Sequence, residues 1–190
     1  DAHKWVSDVL FSPDGEWLAV AAHDSKVYLY QVTPGSLRLR HRFSKHSSTA
    51  FRMDFSADGS VLQSCDTSGE LLFTDVETGE HVLSSHSMAD KEWASWRVTI
   101  GWFVRGAWPP DADGSDINAA ARSRDGTIVG TADDFGKVRL FRFPCPEPAG
   151  AVDLKGHASH VTNLDWTVGD SHVISAGGND KSVIVWKILR

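Results

Sequence analysis

Short apolar runs alternate with polar turns along the chain, and one turn motif recurs with a long period. The motif FSPDG at residues 11–15 returns as FSADG at 55–59, which is 44 positions later. A weaker copy, RSRDG, spans 122–126, and a copy with its last two letters reversed, WTVGD, spans 166–170. The second and third copies are 67 positions apart, enough for one repeat and about 23 inserted residues. The pattern therefore predicts four structural repeats.

Each repeat contains the same order of predicted strands. One apolar run precedes the Asp-Gly turn, a second follows it, and another polar turn leads to a third. These runs are rich in β-branched and aromatic residues and are bounded by Gly, Asp or Ser, which is typical of strands joined by hairpins. The first runs lie at 6–11, 50–55, 117–121 and 161–166, and the third runs at 27–32, 71–76, 138–143 and 183–188. Three such strands and a looser fourth describe a propeller blade, so we expect an all-β fold with blades at 1–44, 45–88, 89–153 and 154–190.

The fourth repeat resembles the WD40 repeat. In WD40 proteins the Asp, His, Ser and Trp of one repeat form a chain of hydrogen bonds, and the resemblance implies such a set here from His157, Ser175, Asp180 and Trp186. The other repeats keep only part of it, with His3 and Asp24 in the first, His46 and Asp66 in the second, and Asp134 in the third. The resemblance implies a WD40-type β-propeller of four blades, each of about 44 residues and one with an insertion.

The insertion and the sequence after it resemble a narrower family, the echinoderm microtubule-associated protein-like proteins. The similar stretches are WASW at 93–96, GAWP at 106–109, DGSDIN at 113–118, ADDFGKV at 132–138, FPC at 143–145, HASHVTN at 157–163 and DSHVIS at 170–175. Residues 1–92 match only as generic WD40 repeats. The resemblance implies a module of a microtubule-associated protein that binds tubulin and organises the cytoskeleton in the cytoplasm. The alternative is a general WD40 scaffold in a signalling or ciliary complex without a tubulin contact.

Four residues lie ten positions before the ends of the repeated turn motifs: Trp5, Thr49, Asp116 and His160. In WD40 propellers this position faces the top of the ring, where protein partners bind. We therefore expect these residues to contact a partner, together with Asp134 and Phe135 in a turn of the third repeat. The insertion adds four tryptophans that either pack on a sheet or bind a partner, since aromatic residues dominate binding hot spots. They are Trp93, Trp96, Trp102 and Trp108.

Composition and charge exclude several functions. The 190 residues carry a formal charge of −6, with 25 acidic and 19 basic side chains. Nucleic acids and anionic membranes both require a basic face, so neither is an expected partner. The only cysteines, Cys65 and Cys145, cannot build a disulfide framework or a four-cysteine zinc site, which favours a reducing intracellular compartment. The apolar runs are all much shorter than the ~20 residues of a membrane span.

The candidate catalytic and metal-binding patterns are weak. The sequence contains neither a Gly-x-Ser-x-Gly elbow nor a phosphate-binding glycine loop, so we expect no enzyme and no cofactor. His157 and His160 have a spacing that suits a metal, but no third ligand follows from the pattern. Asp111, Asp113 and Asp116 resemble the start of a calcium loop, but Arg122 stands where its closing acid is required. We expect a solvated turn there and no metal.

The outer strands of the first and last repeats have no sequence assigned to them. His3 lies two residues from the start, and the chain stops at Arg190 just after the last predicted strand. Because open sheet edges bind other strands, we expect a partial propeller that is completed by further blades of a parent chain or by self-association.

Overall fold

The computed structural model describes residues 1–110, 112, 114 and 116–189. Those residues form fourteen strands in four antiparallel sheets, with two short 3-10 helices. The predicted fold class, an all-β propeller of four WD40-type blades, is confirmed. The chain divides into two compact units, Asp1–Val98 and Thr99–Arg190, and each unit contains two of the sheets.

The first unit begins with a four-stranded sheet and continues with a three-stranded one. The first sheet contains the first four strands of the chain in sequence order, and the second contains the next three in sequence order. A 3-10 helix, Ser85–Met88, follows the second sheet. The strands are β1 (Val6–Phe11), β2 (Trp17–Ala22), β3 (Lys26–Thr33), β4 (Ser36–Phe43), β5 (Ala50–Phe55), β6 (Val61–Asp66) and β7 (Leu71–Asp75).

The second unit has the same arrangement after a 3-10 helix at Trp102–Ala107. Its four-stranded sheet contains the first four strands of this unit in sequence order, and its three-stranded sheet contains the next three in sequence order. The strands are β8 (Ile117–Arg122), β9 (Ile128–Asp133), β10 (Lys137–Arg142), β11 (Val152–Lys155), β12 (Val161–Trp166), β13 (His172–Gly177) and β14 (Val183–Lys187).

The repeated motif forms the hairpin between the first two strands of a blade. In the first blade the Ser12 hydroxyl donates to Asp14 at 2.5 Å and accepts the backbone N–H of Trp17 at 2.9 Å. Gly15 follows with a φ of 75°, a conformation that glycine adopts without strain. Ser56 and Ser123 make the same bonds in the second and third blades. In the fourth blade, Thr167 accepts the N–H of His172 at 3.0 Å and takes the role of the serine.

Each unit has its own apolar core between its two sheets. The first core contains Trp17, Leu29, Met53 and Phe55, and the second contains Val138, Leu164, Trp166 and Val173. Removing one such side chain from water stabilises the fold by about 1.5–3 kcal/mol. The polar end of a buried indole also needs a partner, and Trp166 Nε1 donates to the carbonyl of Ala121 at 2.8 Å.

The first strand of every blade has a β-bulge after its first residue. Two of the extra residues bind the neighbouring blade within their own unit. The hydroxyl of Ser7 donates to the carbonyl of Ala50, and the Asn118 amide donates to the carbonyl of Val161 at 3.0 Å. Ser7 and Asn118, here called the bulge donors, therefore join the starts of adjacent first strands.

A buried polar network attaches residues 95–98 to the first unit. Arg97 forms a bidentate ion pair with Asp8 on β1, with nitrogen–oxygen distances of 2.9 and 3.1 Å. Asp54 on β5 is fully buried and accepts the backbone N–H groups of Arg97 and Val98 at 2.7 and 3.0 Å. Burial raises the pKa of Asp54 despite these bonds and a further one from Ser95. The network fixes this segment against both first strands of the unit.

Candidate functional site

The residues expected at the top face occupy equivalent places in the four blades. Each lies immediately before the first strand, and its carbonyl accepts a backbone N–H from the turn after the second strand. The pairs are Trp5 with His23 at 2.8 Å, Thr49 with Thr67 at 3.0 Å, Asp116 with Asp134 at 3.0 Å, and His160 with Gly178 at 2.9 Å. The backbone of these strand-start residues is therefore held in the same way while their side chains differ.

In the first unit the prominent strand-start residue is Trp5. Its side chain is 82% exposed, and its ring centroid lies 6.1 Å from that of His23. Thr49 of the next blade is half-buried. An exposed indole on a backbone position fixed by a hydrogen bond offers an aromatic contact, the residue type that anchors many protein interfaces.

In the second unit four of the predicted residues lie close together. Asp134 N–H bonds to Asp116, and the turn that contains Phe135 packs on the loop just before His160. This packing is tight, because a Cβ on Gly136 would lie 3.0 Å from the carbonyl of Ser159. Phe135 is 67% exposed, although its own N–H is fixed by Asp133 at 3.0 Å. We call Asp116, Asp134, Phe135 and His160 the second-unit cluster.

The fourth blade contains a continuous chain of hydrogen bonds. His157 lies between Asp180 at 2.9 Å and Ser175 at 2.8 Å, and the indole N–H of Trp186 donates to Ser175 at 2.8 Å. Asp180 also accepts the backbone N–H of Ala158 at 3.0 Å. Burial opposes ionisation of Asp180, but the bonds from His157 and its neighbours outweigh it and lower the pKa to about 2. The four side chains fix the start of the blade to its last hairpin.

The second blade has three members of the same set. His46 Nε2 lies 2.7 Å from the hydroxyl of Ser64, and its Nδ1 lies 3.4 Å from Asp66. The pKa of His46 is lowered because burial disfavours the charged ring, although Asp66 opposes this effect. Sequence reasoning missed Ser64, since it precedes its aspartate by two positions whereas Ser175 precedes Asp180 by five. Strand pairing reveals the equivalence, because Ser64 pairs with Met53 as Ser175 pairs with Leu164.

The first blade keeps the aspartate but changes its partners. Asp24 accepts the backbone N–H of His3 at 3.1 Å and the hydroxyl of Tyr28 at 2.5 Å. Burial and the bond to Asp24 raise the pKa of Tyr28 to about 12. The sequence pairs His3 with Asp24, and the structure makes that contact through the backbone.

In the third blade the turn aspartate is Asp133, and the sequence-based choice of Asp134 is wrong. Asp133 pairs with Ile117 as Asp66 pairs with Ala50, so the two carboxylates occupy the same register. Asp133 is buried and accepts the N–H groups of Phe135 and Lys137 at 3.0 and 2.8 Å. Asp134 is exposed and accepts the Asn118 amide at 2.7 Å.

Most groups that resemble metal ligands have protein partners, but Nδ1 of His46 is buried without a hydrogen-bond partner. Both ring nitrogens of His157 are hydrogen-bonded, and Nδ1 of His160 lies 3.0 Å from the hydroxyl of Ser159. Within the described ranges, one cluster could offer three ligands, namely His46, Asp66 and Glu70. Asp66 there accepts bonds from Ser48, Ser68 and Glu70, and Glu70 accepts two from Ser47. Asp111 and Asp113 of the calcium-like segment lie outside the described residues.

The inserted tryptophans divide between packing and exposure. Trp93 and Trp96 are buried in the first unit, with ring centroids 6.3 Å apart in an edge-to-face arrangement. In the second unit Trp108 is half-buried and donates its indole N–H to Thr99 at 2.7 Å. Trp102 is 61% exposed, and the guanidinium of Arg105 lies over one face of its ring, 5.5 Å from the centroid.

The sheets and the Asp-His-Ser-Trp set define a WD40-type β-propeller. More narrowly, the chain belongs to the echinoderm microtubule-associated protein family, because the family model for the second β-propeller of these proteins matches residues 1–188. The resemblance noted from residue 93 onward therefore extends over the first two blades as well. Across the described residues, no helix is both long enough and apolar enough to span a membrane.

Relatives from distant animals match over almost the whole chain. Echinoderm microtubule-associated protein-like 2 of Rattus norvegicus is 40% identical over 99% of this chain and 29% of its own length. The 77 kDa echinoderm microtubule-associated protein of Lytechinus variegatus is 42% identical over 95% of this chain and 28% of its own length. The chain thus spans less than a third of the curated relatives that it matches.

Two solved structures share the fold at low sequence identity. The structure of U3-55K has a TM-score of 0.55 at 21% identity, covering 99% of this chain and 50% of that one. The computationally designed Ika4 protein has a TM-score of 0.51 at 20% identity, covering 100% of this chain and 94% of that one. At such identity these likenesses concern the fold alone.

Proposed function

We propose that this chain is a non-catalytic interaction module of a microtubule-associated protein, and that it binds tubulin in the cytoplasmic cytoskeleton. The observation that carries the proposal is the match of residues 1–188 to a propeller of echinoderm microtubule-associated proteins. Its structural units would be the four blades at 1–44, 45–88, 89–153 and 154–190. Further blades of a longer chain, or a second copy, would complete the ring.

The strand-start residues are the proposed contacts with tubulin. In the second unit the proposed contacts are the second-unit cluster, in which Phe135 exposes 67% of its side chain beside two carboxylates. In the first unit they are Trp5 and Thr49, with Trp5 as the aromatic anchor. Burying a large aromatic ring supplies much of the affinity of a typical interface, so each ring can be tested within its own unit.

The test measures binding of soluble tubulin to the purified protein and to two single variants, Trp5→Ala and Phe135→Ala. We expect each variant to bind at least about tenfold more weakly, which corresponds to about 1.4 kcal/mol. Trp102→Ala is the matched control, because Trp102 is also exposed but lies outside the strand-start positions. Circular dichroism of each variant establishes that its fold is intact.

Two outcomes would contradict the proposal. If the folded wild-type protein fails to bind tubulin, the chain is instead a general WD40 scaffold for other proteins, such as those of a signalling or ciliary complex. If tubulin binds but only Trp102→Ala weakens it, the contact lies on the inserted segment and the proposed surface is wrong.

A further inference from the structure

Positive charge is concentrated in one part of an otherwise acidic chain. Residues 25–53 contain six Lys or Arg side chains and no Asp or Glu. The formal charge of the whole chain is −6, so the remaining residues are strongly acidic. The basic stretch includes all of β4 and the segment that leads from it to β5. A local basic surface therefore exists on a protein whose net charge predicts none.

The centre of this basic surface is β4, the last strand of the first sheet. β4 pairs with β3 on one side, and it forms the end of the sheet on the other. Its exposed guanidinium groups belong to Arg38, Arg40 and Arg42. Among the residues that the structure describes, none of the three forms an ion pair; the Arg42 guanidinium lies 5.4 Å from the ring of Tyr28.

The strand register places the arginines of β4 on both faces of the sheet. Arg38 pairs with Gln31 and Arg42 pairs with Tyr28, positions that lie on opposite faces of β3. Arg40 falls at a β-bulge between them, where the pairing shifts by one residue. A strand added along this edge would therefore meet a guanidinium above it and another below it.

We propose that the outer edge of β4 binds an extended acidic segment of a partner protein as an added β-strand. The unpaired backbone groups of an edge strand complete their hydrogen bonds with such a segment. The three arginines would pair with carboxylates on either face of it. A second copy of β4 does not fit, because it would place arginine opposite arginine and the like charges repel. The phosphates of a nucleic acid would complement the charge of the arginines, but they would leave the backbone groups of the strand edge unpaired.

The probe is a fluorescently labelled glutamate peptide of about eight residues, long enough to cover one strand. We expect it to bind the wild-type protein and to be released as salt is raised from about 50 to 300 mM, because salt screens exposed charges. An oligothymidylate of about eight nucleotides and a lysine peptide of equal length are measured beside it. Hydrogen exchange with the glutamate peptide bound is expected to slow at the amides of residues 36–43.

The variant Arg38→Gln/Arg40→Gln/Arg42→Gln is expected to bind the glutamate peptide at least about tenfold more weakly, from the loss of three ion pairs. Its matched control is Lys4→Gln/Lys155→Gln/Lys187→Gln, which removes three exposed charges elsewhere and is expected to bind within about twofold of wild type. Melting curves establish that both variants fold. Because the probe contains no tubulin, this result is independent of the tubulin test.

Three results would overturn the proposal. The first is an equal loss of binding in the two triple variants, which would make the effect one of net charge. The second is tighter binding of the oligothymidylate than of the glutamate peptide, which would make the surface a nucleic-acid site. The third is peptide binding that leaves hydrogen exchange in residues 36–43 unchanged, since an added strand must protect those amides.

Discussion

The carboxylate of Asp180 occupies the space that a side chain at Gly177 would need. A Cβ built on Gly177 would lie 1.8 Å from Oδ1 of Asp180 and 2.6 Å from Nδ1 of His157. Gly177 pairs with Val161 as Asp66 pairs with Ala50. In the second blade the carboxylate belongs to Asp66, the last residue of the second strand. In the fourth blade that strand position is Gly177, and Asp180 of the following turn places its carboxylate there instead.

This relationship predicts a rescue experiment. Gly177→Ala should lower the Tm by about 3–6 °C, because the new methyl group displaces Asp180 from His157. Asp180→Gly should lower the Tm as well, by removing the carboxylate. The double variant Gly177→Asp/Asp180→Gly moves the carboxylate to the register of the second blade, and we expect it to melt above both single variants. A double variant that melts below them would contradict the proposed equivalence.

The two neighbouring aspartates of the third blade should differ sharply in their effect on stability. Asp133→Ala should reduce the free energy of unfolding by about 1–2 kcal/mol, since it leaves the partly buried N–H groups of Phe135 and Lys137 without their acceptor. Asp134→Ala should change it by less than about 0.5 kcal/mol, because Asp134 is exposed. Urea titrations of the two variants provide the comparison, and the reverse order would show that the register assignment is wrong.

The ion pair between Asp8 and Arg97 should tolerate no simple replacement. Arg97→Ala should cost about 2–4 kcal/mol, because a carboxylate that is only 6% exposed loses its bidentate partner and keeps only the nearby charge of Arg52. Arg97→Lys should recover only part of this loss, since an ammonium group cannot form the bidentate contact. Chemical unfolding of both variants checks the order. Full recovery by lysine would show that charge alone, and not geometry, matters at this position.

Acid should weaken the fold partly through Asp180. Its pKa is about 2 in the folded protein, below the ordinary value of 3.8, so the unfolded chain binds this proton more readily. The resulting stabilisation is complete above pH 3.8 and is lost as the pH falls toward 2. We therefore expect Asp180→Asn to lose less stability than wild type when urea unfolding at about pH 3 is compared with unfolding at about pH 6. Equal losses in both proteins would contradict the lowered pKa.

The hairpins could be predicted from sequence because their chemistry is local. Ser12, Asp14 and Gly15 lie within four positions, and their bonds close a turn that fixes the flanking strands. The same local pattern predicts the positions of the strand-start residues. Their carbonyls accept N–H groups from the turn after the second strand, and these bonds do not involve their side chains. For this reason Trp5 and Asp116, whose side chains share no chemistry, occupy equivalent places.

Contacts that depend on strand pairing or on distant segments could not be predicted in this way. Asp133 and Asp134 are chemically identical neighbours, and only the pairing of Ile117 with Asp133 distinguishes them. Asp8 and Arg97 are 89 positions apart, and neither residue belongs to the repeated pattern. The pattern predicts β4 only as a loose fourth strand. Leu37, Leu39 and Phe43 alternate with its arginines in the sequence, but the bulge at Arg40 interrupts that period in the structure.

The bulge donors have a consequence for how the repeats can diverge. Ser7 and Asn118 both donate to a backbone carbonyl of the next blade, that of Ala50 in one unit and that of Val161 in the other. Every residue type offers this carbonyl, so a mutation at the acceptor position leaves the bond intact. Neighbouring repeats can therefore diverge in sequence, or be replaced by a duplicated copy, while the hydrogen bond between their first strands is kept.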